Sequence, residues 1–249
     1  MRRVFGGVRV APPTGEVPDA RRRAAGRLRE WATGSSGGTE SRPNIGTAAA
    51  LGLPLLWSNR VLPALELSLR GRTAANVLFA AGYTSVFRGR PNWFSASGFR
   101  WGIGSSSVVL AGYVVALSIP ALRRFPLEIA ERVPETSTLE WIALHIPVGT
   151  VLAEEAVFRG TLDPLLDDSL GSSAPVIGAL DFGLWHIQPA RAAGDPVAVT
   201  VLATAVAGLI FGELRRRSGS ATAPALLHLA INAGGALAPV AARWIDLRR

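Results

Sequence analysis

The chain has 249 residues, 49% of them hydrophobic, a mean hydropathy of +0.29 and no cysteine, which excludes disulfides and thiolate metal sites. Its formal charge of +8 does not point to nucleic acid. All 26 Lys/Arg positions are arginine, and they gather in the leader and between apolar segments, where juxtamembrane positive charge lies.

Residues 1–42 form a separate basic segment with nine arginines and no apolar run. It reads as a disordered, solvated tail. The alternative is a short basic amphipathic helix on anionic lipid around Arg21–Arg29. From residue 43 to about 243 the character changes to that of a membrane domain. The first helix is expected over 45–69, interrupted near Arg60 and Pro63. A second is expected over 73–88 and a third over 102–122, inside the 22 uncharged residues Trp101 to Leu122. A polar loop with Arg123, Arg124, Glu128, Glu131 and Arg132 should follow.

The fourth helix starts at Ser137-Thr-Leu-Glu140, which has the form of a capping box, and runs towards Asp168. The fifth spans about 174–189 and ends at Pro189; the sixth spans 196–216. The seventh begins after Gly219, with Pro224 in its first turn, and runs to about 240. A hydrocarbon core of about 30 Å needs about 20 helical residues. The expectation is an all-α fold: a polytopic transmembrane bundle of about seven or eight helices, multi-pass in the cell membrane with the lipid bilayer as its partner. Charged loops fall on both faces, so sidedness stays open.

Three polar groups stand inside these apolar segments. Trp141 to Ala153 contain no Asp, Glu or Arg, and then come Glu154, Glu155 and Arg159. Ionisable groups in a membrane helix are expensive and mark a functional site facing the bundle interior. Glu155 and Arg159 are i, i+4 neighbours that can neutralise each other. Glu154, about 100° round the helix, is left available as a general base. The second group is Phe182 and His186, also i, i+4. The third is His228 and Asn232, whose N–H groups could serve an oxyanion. Each alone could be interhelical hydrogen bonding; their conjunction carries the functional reading. His145, nine residues before Glu154, reads as structural, and Asp181 as a charge that caps, pairs or lines a cavity. Gly208 and Gly212 permit a close helix approach.

In order, E-E-x-x-x-R, F-x-x-x-H and H-x-x-x-N resemble the signature motifs of the CPBP family, the CAAX prenyl protease and bacteriocin-processing (Abi) intramembrane endopeptidases. The resemblance covers residues 137–240, including Phe158-Arg-Gly-Thr-Leu162 and Ser218-Gly-Ser-Ala-Thr-Ala-Pro224. It implies a helical membrane bundle with an intramembrane catalytic cavity and membrane-associated protein or peptide substrates, including prenylated C-a-a-X proteins. By that resemblance Glu154 and His186 activate water, His228 and Asn232 stabilise the oxyanion, and Glu155, Arg159 and Phe182 support the site. No cofactor is expected. The family has been described as metalloproteases, but the H-E-x-x-H arrangement that presets zinc ligands on one helix is absent. Metal dependence stays open. A non-proteolytic membrane scaffold or peptide-immunity protein of the same fold and a proton-coupled transporter are the competing classes. The transporter would call for an inverted repeat, which this chain does not display.

Overall fold

The computed structural model describes residues 45–129 and 136–247. The leader, residues 1–42, and the end of the polar loop with Glu131 and Arg132 lie outside the described residues. Those described form helices joined by short turns and loops, without a strand.

Helix α1, Ile45–Leu56, continues through a wide π-helical turn, Trp57–Val61, into Leu62–Ala64. This is the interruption expected near Arg60 and Pro63. Helix α2 is Leu69–Val86, capped by the Ser68 hydroxyl accepting from the Gly71 N–H. Helix α3 is Ala96–Ser118; it starts earlier than expected because Ser95 caps it, accepting from the Gly98 N–H. The expected polar loop is partly helical, since α4, Pro120–Ile129, opens on a proline whose fixed φ suits a first helical position. Buried Arg123 in α4 pairs with Asp246 at 3.4 Å.

Helix α5 is composite. It runs from Thr138–Glu140 through a π-helical stretch, Trp141–Leu152, into the α-helical turns Ala153–Val157. A second π-helical turn, Phe158–Leu162, leads to Asp163–Leu170. Ser137 caps the start as expected, accepting from the Glu140 N–H. Pro147 lies within the first π stretch; it has no N–H to donate and crowds the preceding turn, which favours local widening.

The expected fifth helix, ended by Pro189, is two. Helix α6, Ala174–Trp185, stops at His186, and α7, Ile187–Ala193, starts beyond it. Pro189 falls in the first turn of α7, where its missing N–H is not needed, so the break comes at the histidine instead. Helix α8 is Val197–Ser218, closed by left-handed Gly219 (φ 66°), and α9 is Thr222–Asp246, longer than expected.

Among the described residues α3, the segment Thr138–Ala193, α8 and α9 are long and apolar enough to cross a membrane. Their outer faces carry exposed large side chains such as Ile103, Val108, Val199 and Leu202. An apolar band of that kind suits lipid and would be a liability in water. The protein is multi-pass, and its described residues form an all-helical fold.

Helix α3 packs chiefly on α9, α6 on α8, and α2 along the middle of α5. Small residues permit this. A Cβ on Gly183 would come 2.7 Å from the Val201 carbonyl oxygen, and one on Gly208 would come 3.1 Å from Ala179 Cα. The expected close approach at Gly208 is therefore made against α6. The loop after α2 docks on the α8–α9 turn: Ala221 N–H donates to Pro91 O at 2.8 Å, and Asn92 donates to Gly219 O at 2.8 Å. The core runs through Phe158, Leu162, Phe182, Trp185 and Phe211, and the polar groups of interest are set into it.

Candidate active site

The short α-helical part of α5, between its two widened stretches, carries Glu154 and Glu155. Both are buried, Glu155 completely. Wide turns of this kind recur at functional sites because they re-aim side chains along an otherwise regular helix. The two glutamates point to different partners, as their spacing on the helix requires.

Glu154 faces the end of α6. The Trp185 indole N–H donates to its Oε1 at 3.2 Å. Its Oε2 is buried without a hydrogen-bond partner and lies 3.9 Å from His186 Nε2. His186 sits at the break between α6 and α7, with φ −89° and ψ 5°, in the sparsely occupied bridge region. Its Nδ1 is 2.8 Å from the Phe182 carbonyl oxygen. A carbonyl can only accept, so Nδ1 carries the proton and neutral His186 keeps a bare lone pair on Nε2, towards Glu154.

Glu155 faces α9. Its Oε1 is 2.9 Å from His228 Nδ1, and its Oε2 is 3.5 Å from Arg159 Nε. The expected pairing of Glu155 with Arg159 is present, with both side chains fully buried. The bond to His228 was not foreseen. It changes what His228 can offer: with Nδ1 occupied, Nε2 carries an N–H only when the Glu155–His228 pair holds two protons between them.

The Arg159 guanidinium has further company. Its carbon lies 4.1 Å from the Phe182 ring centroid and 5.1 Å from that of Phe211. Its Nη2 donates to the Gly208 carbonyl at 3.3 Å, and buried Asp163 stands 4.0 Å away on the next turn. A weakly hydrated planar cation suits such an aromatic enclosure better than an ammonium would. Phe182 is the centre of it, edge-on to His186 at 4.9 Å and to His228 at 6.1 Å between centroids. Phe211 stacks on His228 at 4.9 Å.

The fold thus brings together Glu154, Glu155, Arg159, Phe182, His186 and His228. Asn232 follows one turn after His228 on α9, half-buried, with no side-chain hydrogen bond among the described residues. Trp185, Phe211 and Asp163 were not singled out from sequence. Asp163 had a signal, since it stands four residues after Arg159 as Glu155 stands four before. Phe211 had none, because only the packing of α8 brings it to α9.

His145 lies apart, bound to Thr73 Oγ1 at 2.7 Å and to Glu140 at 3.2 Å, where it joins α5 to α2. Asp181 is buried with Oδ2 unpartnered, so the expectation that it caps or pairs is corrected. A zinc site would gather three protein ligands about 2 Å from one point. Among the described residues no three His, Cys, Asp or Glu side chains are so arranged.

A cavity of about 750 Å³ opens between α2, α5 and α9, lined by Val77, Ala81, Pro147, Val151, Ala153, Ala156, Ala225 and Leu229 among others. None of Glu154, His186, His228 or Asn232 lines it; Ala153 and Ala156 do, on the far side of the helix that carries the glutamates.

No curated protein and no solved structure matches this chain. Residues 136–234 match a family model described as Type II CAAX prenyl endopeptidase Rce1-like. That segment contains every residue of the buried constellation, and its similarity to the family model agrees with the CPBP, or CAAX prenyl protease, resemblance of the motifs.

Proposed function

We propose that the protein is an intramembrane endopeptidase of the cell membrane in which Glu154 and His186 jointly activate a water molecule. The observation that carries this is the free Glu154 Oε2, buried and 3.9 Å from a histidine nitrogen whose other ring nitrogen is committed to a backbone carbonyl. The separation is too long for a direct hydrogen bond. A water held by both groups has two acceptors for its protons and its own lone pair free for attack.

The chemistry balances without further components. Water oxygen bonds to the peptide carbonyl carbon as its proton passes to Glu154. The carbonyl oxygen becomes an oxyanion, received by His228 Nε2–H and the Asn232 amide. Glu154 returns the proton to the departing nitrogen, the C–N bond breaks, and a carboxyl and an amine remain. Glu155 and Arg159 hold His228 in register and keep the buried charge balanced. No step runs through a metal.

The substrate class is a membrane-associated protein or peptide, and a prenylated C-a-a-X-type protein is the one the family description suggests. The apolar cavity beside Ala153 and Ala156 has the size and lining for the lipid part of such a substrate. The test is cleavage of a farnesylated C-a-a-X peptide by the purified protein in nanodiscs, followed by mass spectrometry. Release of a C-terminal tripeptide is expected, with loss of cleavage in Glu154→Gln. Undiminished cleavage by that variant would end the assignment.

A further inference from the structure

A histidine at a helix break needs something to hold the break. The last carbonyls of α6 and the first N–H groups of α7 have no partner within their own helices. Two adjacent side chains from the other end of the membrane domain supply partners for three of them. Ser58 donates from Oγ to the Trp185 carbonyl at 2.7 Å. Asn59 donates from Nδ2 to the Leu184 carbonyl at 3.0 Å and accepts at Oδ1 from the Gln188 N–H at 2.9 Å. These bonds reach to both sides of His186.

Asn59 is the more telling of the two. A carboxamide presents a donor and an acceptor side by side, which is what a carbonyl and an N–H on opposite sides of a break require. Its orientation is determined by chemistry, because the flipped amide would set oxygen against oxygen and N–H against N–H. Both residues lie in the π-helical turn Trp57–Val61, which directs them at the break. We propose that Asn59, with Ser58 beside it, is a positioning residue for His186: it fixes the backbone break so that Nδ1 meets the Phe182 carbonyl and Nε2 points at Glu154.

The inference rests on the reading that His186 helps activate water, and it predicts two separate signals. The chain has three histidines, so ¹⁵N-histidine labelling of the full chain in detergent micelles gives three imidazole patterns. The pattern missing in His186→Gln identifies His186. In the unchanged protein it should show a protonated Nδ1 and a bare Nε2. In Asn59→Leu that signature should give way to mixed tautomers while those of His145 and His228 stay in place. Cleavage should fall about 10²-fold in kcat with KM within threefold, as expected when a reacting group is misplaced by about an ångström.

Asn59→Asp keeps the acceptor for Gln188 but faces the Leu184 carbonyl with oxygen, and should show the same direction. It and Ser58→Ala carry the readout if Asn59→Leu does not fold. A folded Asn59 variant with an unaltered His186 signature overturns the proposal, as does unchanged kcat beside an altered signature. Failure of the protease reading looks different, because Glu154→Gln and His186→Gln would then cleave as well as the unchanged protein.

Discussion

The Trp185 indole N–H holds one oxygen of Glu154 at 3.2 Å, so the carboxylate is turned with its other oxygen towards His186. Trp185 and His186 are neighbours in the chain, and one orients the carboxylate that the other faces. Hydrogen bonds to a charged group contribute about 1.5–3 kcal/mol. Trp185→Phe should therefore lower kcat by about 10- to 100-fold, the rate equivalent of much of that energy. It should leave the fold in place with a modest drop in Tm, since the smaller phenyl ring still packs on Phe158 but leaves a void where the rest of the indole lay. Steady-state cleavage and a thermal melt of the variant check both halves.

Glu154→Gln retains shape and volume and can still receive the Trp185 N–H, but it is no longer a base. Cleavage should be lost while the melting curve stays close to that of the unchanged protein. Asn232→Ala should be milder, since one oxyanion donor is worth about 10²–10³ in rate. Equal losses in the two variants would remove Asn232 from the oxyanion role.

Arg159 should matter for the fold first. Breaking a buried ion pair leaves an uncompensated charge and costs about 3–5 kcal/mol. Here Arg159→Ala would strand Glu155 and Asp163 together. A sharply lower yield of folded protein is expected, together with a drop in Tm. Arg159→Lys should recover only part of it, because an ammonium loses the flat contact with Phe182 and Phe211. An Arg159→Ala protein with unchanged Tm would refute this.

Gly183→Val tests the helix approach that sets the depth of His186. Its Cβ would press on the Val201 carbonyl, a backbone atom that cannot swing away. Overpacking of this kind typically costs about 1–3 kcal/mol. Lower thermal stability with the α6–α8 pair displaced is expected; a change at exposed Gly104, where nothing lies within 4 Å, should do nothing.

The leader should be dispensable. With no apolar periodicity it has no surface to bury, so a chain beginning at Pro43 should insert and melt as the full chain does. Loss of the folded bundle on truncation would show the arginine-rich segment to be structural.

The helical class, the order of the helices and the three polar groups could be read directly from the chain. Unbroken apolar runs about as long as a bilayer is thick allow few alternatives to helix, because the backbone must satisfy its own hydrogen bonds in lipid. The pairing of Glu155 with Arg159 was legible too, since i, i+4 geometry is local. Helix ends were less so. Ser95 started α3 early, and the helix broke at His186 rather than at Pro189, because first-turn geometry tolerates a proline that a longer helix would not.

What sequence determined by itself, then, is the set of local relationships: which segments are helical, which charges share a face, and where buried ionisable groups interrupt apolar text. Only the tertiary structure decided that His228 bonds Glu155, that Trp185 turns Glu154, that Phe211 covers His228, and that Asn59 closes the break at His186. The physical reason is distance along the chain. Asn59 and Gln188 are 129 residues apart, and Glu155 and His228 are 73 apart. No periodicity links such positions. They meet because the packing sets the π turn Trp57–Val61 against the α6–α7 break and α5 against α9, where a buried polar atom gains by finding a partner on the neighbouring segment.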